Sequence, residues 1–377
     1  MRAFVEIFTK AMQHNLDMIQ KRTGPGVALC PVIKADAYGH GAARAAGALG
    51  QAGMFGVATP LEALELRRAG IETPLLVLGC CPAEYAAEMA RQNVSIALFD
   101  WNHAQAVSAA LSGAGCGSLS VHVKLDTGMS RLGFDTGEEG LCHVRQSVCL
   151  PGLCPEAAFT HFATDDAFVL TQNERFRRAV EELKAGGIEF SVLHCANSAA
   201  VVKYPESYYD MVRPGLLLYG YSTTRCPRCG SESCLGAAPC GPQLMPAMRF
   251  CAEVVQVKTL QKGDTVSYDR TFTAAETMRI AIVSAGYADG VPRTLSNKGS
   301  LLLRGREAPM VGRVCMDMLA ADVSEIPSVA PGDTAVLFGP DENGCHLDAW
   351  TQVRRIGAVP HELLCAPTRR VERMYRD

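Results

Sequence analysis

Five polar residues stand where short apolar runs end: Lys34, Asp126, His161, Asn197 and Arg213. A lysine in an apolar, ligand-filled pocket loses solvation of its charged form. Its pKa falls, and its amine becomes a Schiff-base nucleophile. Lys34 fits this best, because it closes the apolar run 27–33. Gly39 and Gly41 follow it and permit a tight turn with close approach of backbone to a ligand. Further along, Asn197-Ser198 and Pro214-Gly215-Leu216 lie in loops whose backbone N–H groups suit a phosphate. A Schiff-base lysine beside a phosphate site points to pyridoxal phosphate. A lone lysine is ordinarily a solvated surface charge, and a lone histidine in an apolar run a core residue. Their joint placement at strand ends is what marks a site.

The elements that must position them alternate in type. Eight apolar runs read as strands: 27–35, 54–59, 74–79, 94–99, 118–126, 156–162, 190–197 and 210–220. Amphipathic helical patterns lie between them at 61–69, 82–91 and 167–185. This α/β alternation predicts parallel pairing and a closed (β/α)8 TIM barrel in preference to an open doubly wound sheet. Barrel sites form at the C-terminal strand ends, where these polar residues fall. Residues 222–246 form a connector rich in Pro, Gly, Ser and Cys. Beyond it the pattern is mostly β, at 249–260, 277–285, 299–311, 314–323 and 334–338. The expected domains are a barrel over 1–240 and a mostly-β domain over 241–377, with the first strand a candidate to pack on the latter.

Composition excludes several classes. A chain of 377 residues, 48% hydrophobic and 20% charged, has material for two cores and is not a disordered polymer. With 36 Lys and Arg against 39 Asp and Glu, and no basic stripe, nucleic acid is not an expected partner. The start carries no apolar signal segment, and no run of about 20 apolar residues suits a membrane. The 16 cysteines are too sparse for a disulfide scaffold. Cys30, Cys195, Cys251 and Cys315 sit in apolar runs, as free thiols do. A reduced, cytoplasmic protein is expected. The cluster Cys226, Cys229, Cys234 and Cys240 begins like half of a zinc knuckle, but its second pair is irregularly spaced. It reads as a cysteine-tolerant loop, and no metal is assigned.

Several segments resemble bacterial alanine racemases, in order along nearly the whole chain apart from the connector. They are Val32-Ile33-Lys34-Ala35-Asp36-Ala37-Tyr38-Gly39-His40-Gly41, Lys124-Leu125-Asp126-Thr127-Gly128-Met129-Ser130-Arg131, His194-Cys195-Ala196-Asn197-Ser198, Arg213-Pro214-Gly215, Val266-Ser267-Tyr268, Gly286-Tyr287-Ala288-Asp289-Gly290 and Gly312-Arg313-Val314-Cys315-Met316-Asp317. The resemblance implies a barrel plus a β domain, pyridoxal phosphate, and a head-to-tail homodimer with shared sites. It implies racemisation of L- and D-alanine for cell-wall peptidoglycan, with a serine or broad-specificity racemase as the alternative. Lys34 matches the cofactor lysine and one catalytic base; Tyr268 matches the opposite base, supplied by the other subunit. His161 and Arg213 match a chain from that tyrosine to the cofactor, with Arg213 on the pyridine nitrogen.

The same resemblance places Tyr38, Asn197, Ser198, Gly215 and Leu216 around the cofactor. Arg131 and Met316 match substrate-binding residues. Lys124, in a carbamylated form, matches a brace for Arg131, and Asp317 matches a supporting residue. Asp166, Tyr287, Arg293 and Arg313 match an access corridor. Two positions depart from the family pattern. Asp269 stands where glycine is usual, and His361 stands where a phosphate-binding tyrosine is usual. A cofactor-storing barrel without activity would lack the β domain and Tyr268, and a related barrel decarboxylase has a longer arrangement that is not found here.

Overall fold

A computed structural model describes residues 2–223, Leu235 and 243–377. The cysteine cluster at 226, 229, 234 and 240 lies outside the described residues. The chain divides into two compact units: 12–37 with 42–245, and 1–11 with 38–41 and 246–377. The division therefore falls at 245/246 and not at 240, and residues 1–11 and 38–41 group with the C-terminal unit.

All eight expected strands of the larger unit form, most of them shorter than their apolar runs. Phe55–Val57, Leu75–Val77, Val94–Leu98, Leu119–Asp126, Leu153–Phe159 and Val192–His194 pair in parallel in that order. Met211–Val212 pairs in parallel with Ala28–Leu29. Backbone bonds close the ring. Arg213 N donates to Ala196 O at 2.9 Å on one side, and Gly56 N donates to Pro31 O at 3.0 Å on the other. The result is a closed barrel whose apolar runs are buried on both faces, as parallel strands require. The run 210–220 does not continue as one strand. Pro214 lacks a donor for the ladder, and the chain turns into a 3-10 helix at Leu216–Tyr219.

The expected helices form at Pro60–Arg68, Ala86–Arg91 and Phe168–Ala185, with Thr9–Thr23, Trp101–Gly113 and Glu138–Ser147 between other strands. Pro60–Arg68 opens on a capping box, in which Thr59 accepts from Glu62 N while the Glu62 side chain turns back to the Thr59 N–H.

The smaller unit is built on a nine-stranded sheet. Its spine, Met248–Leu260, pairs antiparallel with Ala3–Phe8, Met278–Val283 and Thr334–Pro340. Ala3–Phe8 also takes Glu372–Arg376 in parallel, so both chain ends lie side by side in one sheet. Glu6 on that first strand has a side chain only 4% exposed and is gripped by Arg249 and Arg376. Burial alone raises its carboxyl pKa, but the hydrogen bonds and charges of the two arginines outweigh this and hold it below the usual value. Its stabilisation is therefore complete above the unfolded carboxyl pKa and fades as pH falls through the lower folded one. Glu6→Gln is expected to cost about 3 kcal/mol at neutral pH, the size of a broken buried pair. Urea unfolding should show the gap between native and variant narrowing below about pH 4.

Candidate active site

The barrel strand ending at Val32 delivers Lys34 into an unusual turn. Ala35, Asp36, Ala37 and Tyr38 all lie near φ +53°, and the first three have ψ between +46° and +51°, a left-handed turn without a glycine. Each such residue costs about 1–2 kcal/mol. Three contacts hold the turn: Ala37 N donates to Ile33 O at 2.9 Å, Ala35 N to Glu62 Oε1 at 2.8 Å, and Ala42 N to Asp36 Oδ1 at 2.8 Å. Backbone strain concentrated directly after Lys34 marks a candidate functional site. The sequence reading placed the special backbone at Gly39 and Gly41. Both have positive φ, but the turn begins four residues earlier. Gly39 is needed for space as well, since a Cβ there would overlap the Leu364 carbonyl oxygen.

Arg213, just past Met211–Val212, is buried. Nη1 donates to His194 Nδ1 at 2.6 Å and to His194 O at 2.8 Å. Nη2 donates to Thr160 O at 2.7 Å and to Cys195 O at 3.0 Å. Four of the five guanidinium donors are thus consumed, and Nε–H is left for a ligand. Among the described residues no carboxylate pairs with Arg213. The nearby Cys30 thiol, pushed up to about 12 by burial, stays neutral. Desolvation lowers the Arg213 pKa, but a guanidinium remains charged at neutral pH.

The mouth collects further cations. Burial, then Arg213, Arg131, Lys124 and Lys34, hold the His161 imidazole well below its usual pKa, so it is neutral. Lys124, on Leu119–Asp126, is 5% exposed. Burial first, then Arg131 and Arg213, lower its pKa to about 8. Among the described residues Asp126 is a carboxylate that acts on it, and that group is already committed: it accepts backbone N–H bonds from Gly128, Met129, Ser130 and Arg131, fixing the loop that carries Arg131.

Ser198 Oγ accepts from Gly215 N at 2.9 Å and Leu217 N at 3.4 Å, which joins the loops of Ser198, Gly215 and Leu216. Asn197 caps the short helix Ser198–Lys203 through Ala200 N. Asp166 caps its own loop by accepting from Phe168 N.

In the smaller unit, strands Thr265–Val266 and Phe272–Thr273 form a hairpin that presents Tyr268, 67% exposed. Asp269 has φ +58°, so the turn keeps the left-handed shape that glycine would favour, and aspartate tolerates it. Its carboxylate lies 3.4 Å from Arg313 Nε. Asp317 pairs with Arg370 at 2.6 Å, beside the half-exposed Met316. Tyr287 and Arg293 lie on neighbouring 3-10 turns of the same unit. Tyr38, buried, has its ring 5.5 Å from that of His361.

Comparison with known proteins identifies the family. The model for the alanine racemase N-terminal domain matches residues 7–223, and that for the alanine racemase C-terminal domain matches 247–375. The chain belongs to the alanine racemase family. An alanine racemase of Desulfovibrio desulfuricans is 40% identical over 99% of this chain and 97% of its own. One of Desulforamulus reducens is 38% identical over 99% and 98%. The crystal structure from the D-cycloserine producer Streptomyces lavendulae superposes with a TM-score of 0.91 at 31% identity, covering 100% of this chain and 97% of that one. The Bacillus anthracis family member, solved with bound L-Ala-P, gives 0.89 at 29% identity, covering 100% and 95%.

His194 was quoted from the sequence only as part of a motif and given no task; in the structure it anchors Arg213. The signal was present. His122 and Lys124 sit two apart on one strand, hence on one face, in an otherwise apolar run.

A lysine amine that loses its proton near pH 8 is nucleophilic toward carbon dioxide, and a carbamate at Lys124 would turn repulsion of Arg131 into attraction. Protein equilibrated with carbon-13 bicarbonate is expected to give a carbamate carbonyl signal that Lys124→Gln lacks. Its absence from the native chain would remove the modification.

Proposed function

We propose that this protein interconverts L- and D-alanine in the cytoplasm with pyridoxal phosphate, supplying D-alanine for peptidoglycan precursors. Membership of the family supports the reaction. The observation in this chain that carries it is a barrel mouth with four cations around one neutral imidazole and a single unused guanidinium donor. Such a mouth fits a phosphate ester together with a substrate carboxylate. Lys34 would hold the cofactor covalently, with Tyr38, Asn197, Ser198, Gly215, Leu216 and His361 around its phosphate and ring.

The bound group supplies an electron sink that acidifies the α-hydrogen. Racemisation must take that proton from one face and return one on the other, so two bases must flank the substrate. Lys34 Nζ serves one face and Tyr268 Oη the other, with His161 and Arg213 extending from the tyrosine. A guanidinium does not surrender its proton. Arg213 would therefore offer the bound group a hydrogen bond and no proton, which would favour return of the proton to carbon over side reactions. Arg131 orients the substrate carboxylate, and Met316 borders its side chain. Asp317 supports that loop, while Asp166, Tyr287, Arg293 and Arg313 line the approach.

The exposure of Tyr268 and Met316 fits a homodimer in which each β unit completes the other subunit's site. Lys34→Ala and Tyr268→Phe are each expected to abolish racemisation. Mixed dimers of the two regain one native site per pair, up to about a quarter of native activity for random mixing. Heterodimers without activity would sink the shared site.

His361 favours a second activity, toward serine. Imidazole is shorter than phenol and leaves both room and a hydrogen-bond partner for a hydroxymethyl group. Serine racemisation is expected beside alanine racemisation. Replacing His361 by Tyr should lower the serine-to-alanine ratio of kcat/KM by about tenfold, the usual worth of one pocket contact. An unchanged ratio would leave His361 as a phosphate donor alone.

A further inference from the structure

The anchor of Arg213 continues away from the mouth. His194 Nε2 lies 2.9 Å from His122 Nδ1. His122 Nε2 is buried, has no hydrogen-bond partner, and lies 3.8 Å from Glu156 Oε2. Ser120 Oγ donates to the same carboxylate oxygen. The direction of every proton in this row is fixed by its ends. Arg213 can only donate, so His194 Nδ1 must accept and the ring must carry its proton on Nε2. That proton obliges His122 Nδ1 to accept, which leaves the His122 proton on Nε2, facing a carboxylate that can only accept.

We propose that Glu156 and His122 are positioning residues for Arg213: cation and anion at opposite ends hold both imidazoles in the Nε2–H form and fix which guanidinium donor is left for the ligand. Surroundings favour the uncharged rings. His122 and His194 are both fully enclosed, and burial lowers the pKa of each. Phe159 stacks on His194 with centroids 4.8 Å apart and meets Arg213 at 5.2 Å and Lys124 at 5.6 Å. A charged His194 would add a third cation to that ring and would put a donor against the Arg213 donor. Glu156 stands at the other end, with its side chain 43% exposed, and the His122 ring and the Ser120 hydroxyl hold its carboxyl down to about 2, so it is ionised.

The proposal rests on the reading of the mouth as a cofactor site, but its first test does not. Histidine nitrogens are followed by NMR in the full-length chain labelled with nitrogen-15 histidine, before and after adding pyridoxal phosphate. His122→Gln and His194→Gln assign the signals. Both rings are expected to show protonated Nε2 and bare Nδ1, without titration from about pH 6 to 9. Glu156→Leu removes the terminal acceptor. It should give a mixture of tautomers at His122 and weaken cofactor binding about tenfold, the worth of one charge-assisted hydrogen bond. Glu156→Gln, whose amide oxygen still accepts, should restore the single tautomer and most of the affinity. A protonated Nδ1 on either ring of the native chain overturns the proposal, even if Glu156→Leu does not fold. So does a folded Glu156→Leu with native tautomers and native affinity. A chain that binds no cofactor but keeps the tautomers would fail the functional reading and leave the proton order standing.

Discussion

A buried guanidinium without a carboxylate sets the terms for the barrel. Removing an ion from water costs several kcal/mol unless its hydrogen bonds are replaced. Here the replacements are carbonyls of Thr160, His194 and Cys195 and one imidazole nitrogen. Those carbonyls lie at the ends of two adjacent barrel strands, so the arginine can be satisfied only when the strands are paired in register. The same bonding leaves one donor over and leaves the charge uncancelled. Strand register and an uncancelled positive charge thus meet in a single side chain.

The Lys34 turn answers a different constraint. Directly after Lys34 the backbone reverses its hand for four residues. Ordinary residues do this at a cost in conformational energy that only surrounding contacts repay. Glu62 provides one of them, and its capping box on Pro60–Arg68 is what positions its carboxylate. Helix capping and reactive-lysine geometry are therefore one local structure.

The smaller unit solves an edge problem. Its central strand Met248–Leu260 accepts the N-terminal strand Ala3–Phe8, which in turn accepts the C-terminal strand Glu372–Arg376. The ionised Glu6 between two arginines locks the register of all three strands. The unit is made from both chain ends, and residues 1–11 group with it, as the first strand was a candidate to do.

What the sequence determined by itself was the order of elements and the residue types at strand ends. Apolar runs of strand length alternating with helical periodicity are local signals, and they located all eight barrel strands and the placement of Lys34, His161 and Arg213. Motifs in register carried the family. Strand boundaries were too long where Pro214 and the Lys34 turn interrupted apolar runs, because hydrophobicity does not report backbone hand. The tertiary structure alone decided who touches whom. Glu156, His122 and His194 lie on three different strands and Arg213 just past a fourth, and no spacing along the chain links them. Their proton order exists only because barrel closure brings the four side chains into one row, with Arg213 and both imidazoles buried and Glu156 at the solvent end. Burial of the three inner members is also what turns four ordinary polar residues into a single electrostatic unit, since a buried donor must find an acceptor within the row.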